Sequence, residues 1–447
     1  MENKKKNDKL NLKIGLEDID PGALYIIKKL NKRGYDALVV GGCIRNLVMG
    51  KKVHDWDIAT SASPKEISRT FTGYKVVPVG EKYGTIMVVI KAVNYQVSTF
   101  RGKGKLKEIR ETEEAKWTSP LREDLRHRDF TINAFAWNEE EGVIDYFNGL
   151  IDLEQKIIKG VEDPSQRIKE DPLRMLRAIR IACELDFKID PATLQTIKKN
   201  NLLIKKVSPE RVRDELIKIL LSNSPKRGFK LLQQLNLWKF IFPEPERGFN
   251  FYQENFYPNQ DQFEHILNLL NNLPPDLVLR LVALLSEVGR PLFDSRINRE
   301  AVVVKILHHL KFKNSIIKKV NILVQEDWRA IDFLNPKNIR QFISKRGEEN
   351  ILNVLELKRA DIKIGKKIAK LKQLEKMEKQ VREVLEEKPV VSLKGLAING
   401  KDLIDLGYQE GVQLGGMLKK LLEIVIDKPE LNRRERLLEF LETGSMK

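Results

Sequence analysis

The change from a mixed pattern to a purely helical pattern near residue 160 limits the fold of this chain more than any other feature. From about Pro164 to the end, apolar residues recur at helical spacing and the strand pattern disappears. Before that point an amphipathic helix is predicted around Leu24 to Arg33. Short β-rich runs predict strands at Ala37–Val40, Thr85–Ile90, Tyr95–Phe100 and Val143–Tyr146. We therefore predict an α+β protein in which a small mixed β-sheet head precedes an all-α remainder.

Length and helix-breaking residues divide this arrangement further. At roughly 100–200 residues per domain, the 447 residues of the chain correspond to two to four domains. Prolines at Pro209, Pro336 and Pro389 indicate helix boundaries. We predict a head over residues 1–160, followed by an elongated all-α part that consists of a neck over 161–226, a body over 227–330 and a tail over 331–447.

The charge balance favours an anionic partner. The chain has 80 Lys and Arg against 63 Asp and Glu, which gives a net charge of +17. Such an excess is typical of proteins that bind nucleic acid, although solubility or an anionic membrane also accounts for it. The segment from Lys358 to Lys379 contains nine basic and three acidic residues, with apolar residues at helical spacing. Its basic residues either form a solvated helix face or contact phosphates.

Cysteine usage and the N-terminus predict a cytoplasmic protein that does not enter a membrane. The two cysteines, Cys43 and Cys183, are too few for a disulfide framework. The charged N-terminus lacks the apolar stretch of a signal peptide, and no run approaches the ~18 apolar residues of a membrane span. The five histidines include no HExxH spacing, so a zincin-like hydrolase is excluded. Nothing in the sequence predicts an oligomeric state.

A glycine pair marks a candidate phosphate-binding turn. The apolar run from Leu38 ends at Gly41-Gly42, and a helical pattern with Arg45 one turn in follows. Such a strand-to-helix turn lets backbone N–H groups approach a phosphate. An ordinary tight turn explains the same glycines.

Two aspartates follow the turn at a spacing that suits a metal. Asp55 and Asp57 flank one bulky residue in a predicted strand, and period two places both carboxylates on one face. Like charges aimed at one spot need a cation, and all-oxygen ligation suits Mg²⁺. The alternative is a pair of solvent-facing aspartates on an edge strand.

These motifs together resemble a known family. Gly41-Gly42-x-x-Arg45 followed by Asp55-x-Asp57 resembles the nucleotidyltransferases of the DNA polymerase β superfamily. Asp124 to Ala134 resembles the RRDFTINA motif, and Glu170 to Arg180 resembles the EDxxR motif, of class II (bacterial-type) CCA-adding tRNA nucleotidyltransferases and their poly(A) polymerase relatives. The resemblance implies template-independent addition of C and A to the 3′ end of tRNA from CTP and ATP, with a tail that binds tRNA.

The EDxxR segment predicts how the base is selected. On one helix, Asp171 and Arg174 would share a face, so that Asp171 accepts from the exocyclic amine of C or A and Arg174 donates to the ring nitrogen. Uracil and guanine offer a carbonyl and a ring N–H instead, so both contacts would be mispaired. The sequence thus assigns Asp55 and Asp57 to catalysis and metal binding, and seven residues to the nucleotide: Gly42, Arg45, Arg128, Asp171, Arg174, Arg177 and Arg180.

Departures from the family motifs leave alternatives open. Asn46 replaces the usual Asp after Arg45, His127 replaces the first arginine of RRDF, and Gln96 replaces a common Glu. The loop from Gly102 to Arg122 contains Arg110 but lacks the usual sequence motif of the family. The resemblance implies that this loop controls the switch from C to A addition. An enzyme that adds only CC or only A and a poly(A) polymerase are therefore alternatives, whereas an inactive RNA-binding protein would be expected to lack Asp55 or Asp57, and both are present. The stretch from Ser286 to Pro291 lacks the His-Asp pair of an appended phosphohydrolase, so hydrolase activity is not expected.

Overall fold

A computed structural model describes residues 14–80, 84–101, 121–242, 260–286, 299–325, 328, 331–365 and 368–443. The chain divides into two compact units. The first contains Met1–Ile219 and Arg227–Ile241, and the second contains Leu220–Lys226 and Phe242–Lys447.

A seven-stranded mixed sheet forms the head of the first unit. Its order is β3-β4-β5-β2-β1-β6-β7, with β2 and β5 parallel and the other neighbours antiparallel. The strands are β1 (Ala37–Val40), β2 (Trp56–Thr60), β3 (Lys75–Gly80), β4 (Thr85–Ile90), β5 (Val93–Thr99), β6 (Phe135–Asn138) and β7 (Gly142–Asp145). The predicted bounds of β1 and β4 are confirmed, and those of β5 and β7 differ by one or two residues.

Eleven helices are described in the first unit, with the end of α9 and the start of α10 in the segment that groups with the second unit. They are α1 (Pro21–Asn31), α2 (Gly42–Val48), α3 (Pro64–Thr70), α4 (Leu121–Arg126), α5 (Gly149–Glu154), α6 (Pro164–Glu170), α7 (Arg174–Leu185), α8 (Pro191–Asn200), α9 (Pro209–Leu221), α10 (Pro225–Gln234) and α11 (Trp238–Ile241). Helix α1 begins where the Asp20 carboxylate caps the backbone N–H groups of Gly22 and Ala23. It buries Ile26 and Leu30, which confirms the predicted amphipathic helix.

The head core fixes the strand ends that carry the candidate site. Each fully buried Leu or Ile side chain stabilises the fold by roughly 1.5–3 kcal/mol. One cluster joins β1, β2, β6, β7 and α4, and consists of Leu38, Val40, Ala59, Phe100, Leu125, Ala134, Ala136, Ile144 and Val161. Because Val40 is packed in this cluster, the turn that follows it has a defined position.

The structure corrects two predictions for the region after residue 160. The strand pattern does not end there, because β8 (Ile157–Ile158) pairs in parallel with β9 (Lys188–Ile189). Two residues are too few to produce a visible alternation in the sequence. Asp171 and Arg174 do not lie on one helix either, because α6 ends at Glu170, Asp171 is extended (φ −142°, ψ 99°) and α7 begins at Arg174. Pro172 is the physical reason, since a proline disfavours helical backbone at the residue before it.

All described elements from α12 onward in the second unit are helical, as predicted. Those longer than one turn are α12 (Gln260–Asn272), α13 (Leu277–Leu285), α14 (Arg299–His309), α15 (Asn314–Gln325), α16 (Pro336–Arg346), α17 (Glu348–Gly365), α18 (Ile368–Glu386), α19 (Gly400–Asp405), α20 (Val412–Asp427) and α21 (Arg434–Thr443). The buried Arg280 of α13 donates to the carbonyls of Ser222 (2.9 Å) and Leu273 (2.9 Å). No described helix has the length and apolar character needed to cross a membrane.

The lysine-rich segment spans parts of α17 and α18. Lys358 is buried, and Arg359 forms ion pairs with Glu356 (3.0 Å) and Glu378 (2.5 Å). These two basic residues therefore serve the packing of the helices. A phosphate-contacting role for the remaining basic residues stays a prediction.

Candidate active site

The turn after β1 brings a carboxylate and a guanidinium together. Gly41 has φ +91° and precedes α2, which begins at Gly42. A Cβ atom at Gly41 would lie 2.7 Å from Arg128 Nη1 and 3.6 Å from Asp57 Oδ2. Glycine is therefore required twice, for the left-handed backbone and for the close approach of Arg128. Gly42, the residue predicted from the sequence, is the first residue of α2, and a Cβ atom there would lie 3.5 Å from Arg45 Nη2.

The two aspartates lie at the start of β2, with unequal environments. Asp57 is half-buried, whereas Asp55 precedes the strand and is exposed. Burial raises the pKa of Asp57, the Asp55 charge adds to this, and the charges of Arg128 and Arg177 oppose it. Asp57 thus faces the like-charge repulsion that a bound cation relieves.

The residues present fit Mg²⁺ bound together with a substrate. None of the described residues donates a hydrogen bond to the Asp57 carboxylate, so its oxygens keep their capacity for a ligand. Gln96 of β5 lies in register beside Asp57 and places a neutral amide where a third carboxylate would stand. Within the described ranges no group of three or more His, Cys, Asp or Glu side chains forms a metal site. Two carboxylates completed by substrate phosphates are a usual arrangement for Mg²⁺.

Arg45 is held by two neutral amides. Its Nε and Nη2 donate to Asn46 Oδ1 (3.1 and 2.8 Å), and its Nη1 donates to Asn133 Oδ1 (2.5 Å). Asn46 therefore preserves the acceptor that an Asp would provide but adds no negative charge. Both acceptors are neutral, so neither of these hydrogen bonds cancels the positive charge that Arg45 can offer to an anionic ligand.

Asp129 anchors Arg177, a role that sequence reasoning missed. The buried Asp129 carboxylate accepts hydrogen bonds from Arg177 Nε (2.7 Å) and Asn133 Nδ2 (3.0 Å), and Arg177 Nη2 lies 2.7 Å from Asp129 Oδ2 in the same ion pair. Burial opposes ionisation, but the charge of Arg177 and the Asn133 hydrogen bond hold the pKa of Asp129 well below its usual range. The same pair raises the pKa of Arg177. The sequence DFTIN, which places Asp129 and Asn133 four residues apart, was the signal that could have indicated this role.

A second buried carboxylate anchors Arg180. Arg180 Nε donates to Glu215 of α9 (2.7 Å), and Nη1 donates to Glu184 (2.7 Å). Burial lowers the pKa of Arg45 and the charge of Arg180 adds to this, while the charges of Asp129 and Glu184 oppose it. Two guanidinium groups that repel each other at one place suit a polyphosphate.

Arg174 is oriented by backbone carbonyls and one glutamate. Its Nη2 donates to His127 O (2.6 Å), and its Nη1 donates to Arg167 O (3.0 Å) and Glu170 Oε2 (3.2 Å). An arginine has five N–H donors, so Nε–H and one Nη2–H have no hydrogen-bond partner among the described residues. The backbone N–H of Arg174 donates to the Asp171 carbonyl (3.0 Å), so Asp171 lies directly before α7, the helix that carries Arg174 and Arg177. The charge of Asp171 acts on both arginines.

The structure thus groups the predicted residues into two neighbouring sets. Gly41, Asp57 and Arg128 surround the turn, with Asp55 next to Asp57. The contacts and charges described above link the residues of the second set. They are Gly42, Arg45, Asp171, Arg174, Arg177 and Arg180. Arg110 and the loop over residues 102–120 lie outside the described residues, as does the stretch over 287–291.

Comparison with known proteins identifies the family. The "Poly A polymerase head domain" family matches residues 37–159, and a "tRNA nucleotidyltransferase domain 2" family matches residues 293–441. Between them, residues 186–248 match the "Probable RNA and SrmB- binding site of polymerase A" family. A CCA-adding enzyme of Pediococcus pentosaceus is 35% identical over 417 residues, covering 93% of this chain and 96% of that protein. The chain belongs to the CCA-adding enzymes.

Further relatives agree with this assignment. A CCA-adding enzyme of Ligilactobacillus salivarius is 32% identical over 93% of this chain and 95% of its own length. The crystal structure of the Bacillus stearothermophilus CCA-adding enzyme in complex with CTP superposes with a TM-score of 0.75 at 28% identity, covering 95% of this chain and 99% of that one. As a CCA-adding enzyme the chain is a tRNA nucleotidyltransferase, and the predicted α+β class is confirmed.

We predict that Asp129→Asn destabilises the protein and weakens nucleotide binding. Breaking a buried ion pair costs about 3–5 kcal/mol, and we expect ~2 kcal/mol or more here because Arg177 is partly exposed. Since the pKa of Asp129 is lowered by folding, the stabilisation exists above the unfolded pKa of about 4 and is lost as the pH falls below it. Urea denaturation should therefore show a loss of stability at pH 7 that shrinks at pH 3, and KM for CTP should rise.

Asp152→Asn is the matched control. The buried Asp152 accepts from the neutral Thr131 hydroxyl (2.6 Å), a bond that the amide oxygen of Asn can preserve. An equal loss of stability in both variants would contradict the special role of the Asp129 charge.

Proposed function

We propose that this chain completes the 3′ end of tRNA by template-independent addition of C and A from CTP and ATP. The observation that carries the proposal is the cluster around the Gly41 turn, where Asp57 and Arg128 both lie beside the same glycine, in a chain related over 93% of its length to a CCA-adding enzyme. A metal-binding carboxylate next to a phosphate-binding cation is the minimum required for nucleotidyl transfer.

In the proposed reaction, the tRNA 3′-hydroxyl attacks the α-phosphorus of the nucleotide. A new O–P bond forms, the bond between the α-phosphorus and the bridging oxygen breaks, and pyrophosphate leaves. Asp55 and Asp57 would hold Mg²⁺, which when bound lowers the pKa of the attacking hydroxyl and neutralises the leaving group.

The arginines divide the remaining work between phosphate and base. Arg45, Arg128, Arg177 and Arg180 are proposed to bind the triphosphate together with the turn at Gly42. Bidentate guanidinium groups suit phosphate oxygens, and Asp129 and Glu215 hold two of them in fixed orientations. Asp171 and Arg174 are proposed to recognise the base edge, which the two N–H donors left on Arg174 support.

The basic helices beyond residue 330 are proposed to bind tRNA phosphates by shape and charge. The net charge of +17 supports this role. We also propose a cytoplasmic location and Mg²⁺ as the resident cation. Cys43 and Cys183 are buried and form no disulfide, which suits a reducing compartment.

A poly(A) polymerase is the second candidate, because the head matches a family described by that activity. Incubation of CCA-lacking tRNA with ATP alone separates the two. We expect no long tail under these conditions, and a ladder of many A residues would overturn the proposed function.

A further inference from the structure

A second arginine holds the carboxylate that is proposed to select the base. Arg211 Nη2 donates to Asp171 Oδ2 (2.8 Å), and Arg211 Nη1 donates to Asp171 Oδ1 (3.2 Å). The backbone N–H of Leu173 donates to the same Oδ1 (3.2 Å). The Asp171 carboxylate therefore accepts hydrogen bonds both from a side chain of α9 and from the backbone two residues after it.

The hydrogen-bonding capacity of a carboxylate makes this arrangement selective. Each oxygen has two lone-pair positions, so the group accepts about four hydrogen bonds. Among the residues that the structure describes, Oδ1 of Asp171 accepts from Arg211 and Leu173, while Oδ2 accepts from Arg211 alone. One acceptor position on Oδ2 remains, and no donor position exists on the ionised group.

Stability does not explain the Arg211 pair. The Arg211 side chain is 54% exposed and that of Asp171 is 30% exposed. Exposed ion pairs contribute little to folding, but two parallel N–H···O bonds from a planar group fix the orientation of a carboxylate. The pair also bridges two separate elements, since Arg211 lies in the first turn of α9 and Asp171 lies in the break between α6 and α7.

We propose that Arg211 is a positioning residue for nucleotide selection. It orients the Asp171 carboxylate so that the free position on Oδ2 accepts the exocyclic amine of cytosine or adenine, while Arg174 donates to the adjacent ring nitrogen. This inference rests on the proposed role of Asp171 in the function above. Without Arg211, the carboxylate rotates about its side-chain bonds, and the geometric penalty against a uracil or guanine carbonyl weakens.

The test is single-nucleotide incorporation into tRNA by the full-length Arg211→Ala variant. We expect the ratio of kcat/KM for CTP over UTP to fall about tenfold or more, equal to about 1.4 kcal/mol of lost discrimination. The kcat/KM for CTP itself should fall less than this ratio does. Arg211→Lys should restore part of the selectivity, because an ammonium keeps the charge but not the two-bond geometry.

Arg213→Ala is the matched control on the same helix. Two residues along an α-helix correspond to a rotation of about 200°, so Arg213 lies on the other side of α9, where it bonds the adjacent Asp214 (2.8 Å). We expect its CTP over UTP ratio to equal that of the parent. An equal loss of rate for all four nucleotides in Arg211→Ala would overturn the inference and indicate a purely structural role.

Comparison with Asp171→Asn separates failure of this inference from failure of the proposed function. If Asp171→Asn relaxes selection and Arg211→Ala does not, the positioning role of Arg211 is wrong and the base-recognition role of Asp171 stands. If Asp171→Asn leaves selection intact, Asp171 does not recognise the base and the inference falls with that assignment.

Discussion

Asp57→Asn is expected to abolish nucleotide addition while tRNA binding survives, and Asp55→Asn should do the same. The loss of a metal-binding carboxylate should lower the rate by about three decades or more, which is ~4 kcal/mol or more at the transition state. Removing a negative charge cannot weaken electrostatic attraction to the RNA backbone. Single-turnover incorporation of CTP and a filter-binding assay with tRNA measure the two quantities.

The environment of Asp57 also provides a test for folding. Because folding raises the pKa of Asp57, the folded state disfavours its ionised form. A neutral Asn should therefore leave the thermal midpoint unchanged or raise it. Asp36→Asn is the control. Asp36 is exposed and precedes Ala37, and Ala37 pairs with Thr60 at the end of β2 that is far from Asp55. Near-normal turnover of the Asp57 variant in Mg²⁺ would contradict the catalytic assignment.

Asp171→Asn is expected to relax nucleotide selection. Its amide can donate to the carbonyl of uracil or guanine as well as accept from an amine, so the penalty against the wrong base is lost. One charged hydrogen bond is worth roughly 1.5–3 kcal/mol, so UTP should gain about ten- to hundredfold relative to CTP. Competition between nucleotides in a single-addition assay measures the ratio directly.

Asp214→Asn is the control for this change. Asp214 is exposed and pairs with Arg213 on α9, so its charge should not influence the base. If Asp171→Asn slowed all four nucleotides by one common factor, Asp171 would serve only the structure.

The parts of the fold that could be predicted are those with strong local patterns. The apolar run Ala37–Val40 ends at two glycines, and the structure has β1 and the turn at those residues. Gly41 rather than Gly42 carries the left-handed backbone, because the helix begins one residue later than the turn. The sequence shows that two glycines are needed but not which one has positive φ.

The parts that could not be predicted depend on contacts distant in sequence. Helical spacing placed Asp171 and Arg174 on one face, but Pro172 breaks the helix between them. The partners of the site arginines also escape any local pattern, since Arg177 and Asp129 are 48 residues apart and Arg211 and Asp171 are 40 apart. Only the folded chain brings such pairs together, so a motif can identify the residues but not what orients them.

The most direct measurement of the central claim is product length on three defined tRNAs, one lacking CCA, one lacking the last two nucleotides and one lacking only A. With CTP and ATP together, we expect all three to be completed to CCA and then extended no further. An enzyme that adds only CC would stop after the second C and leave the third substrate unchanged, and an enzyme that adds only A would extend the third substrate alone. Either of these patterns, or a run of many added A residues, would contradict the proposed addition of CCA.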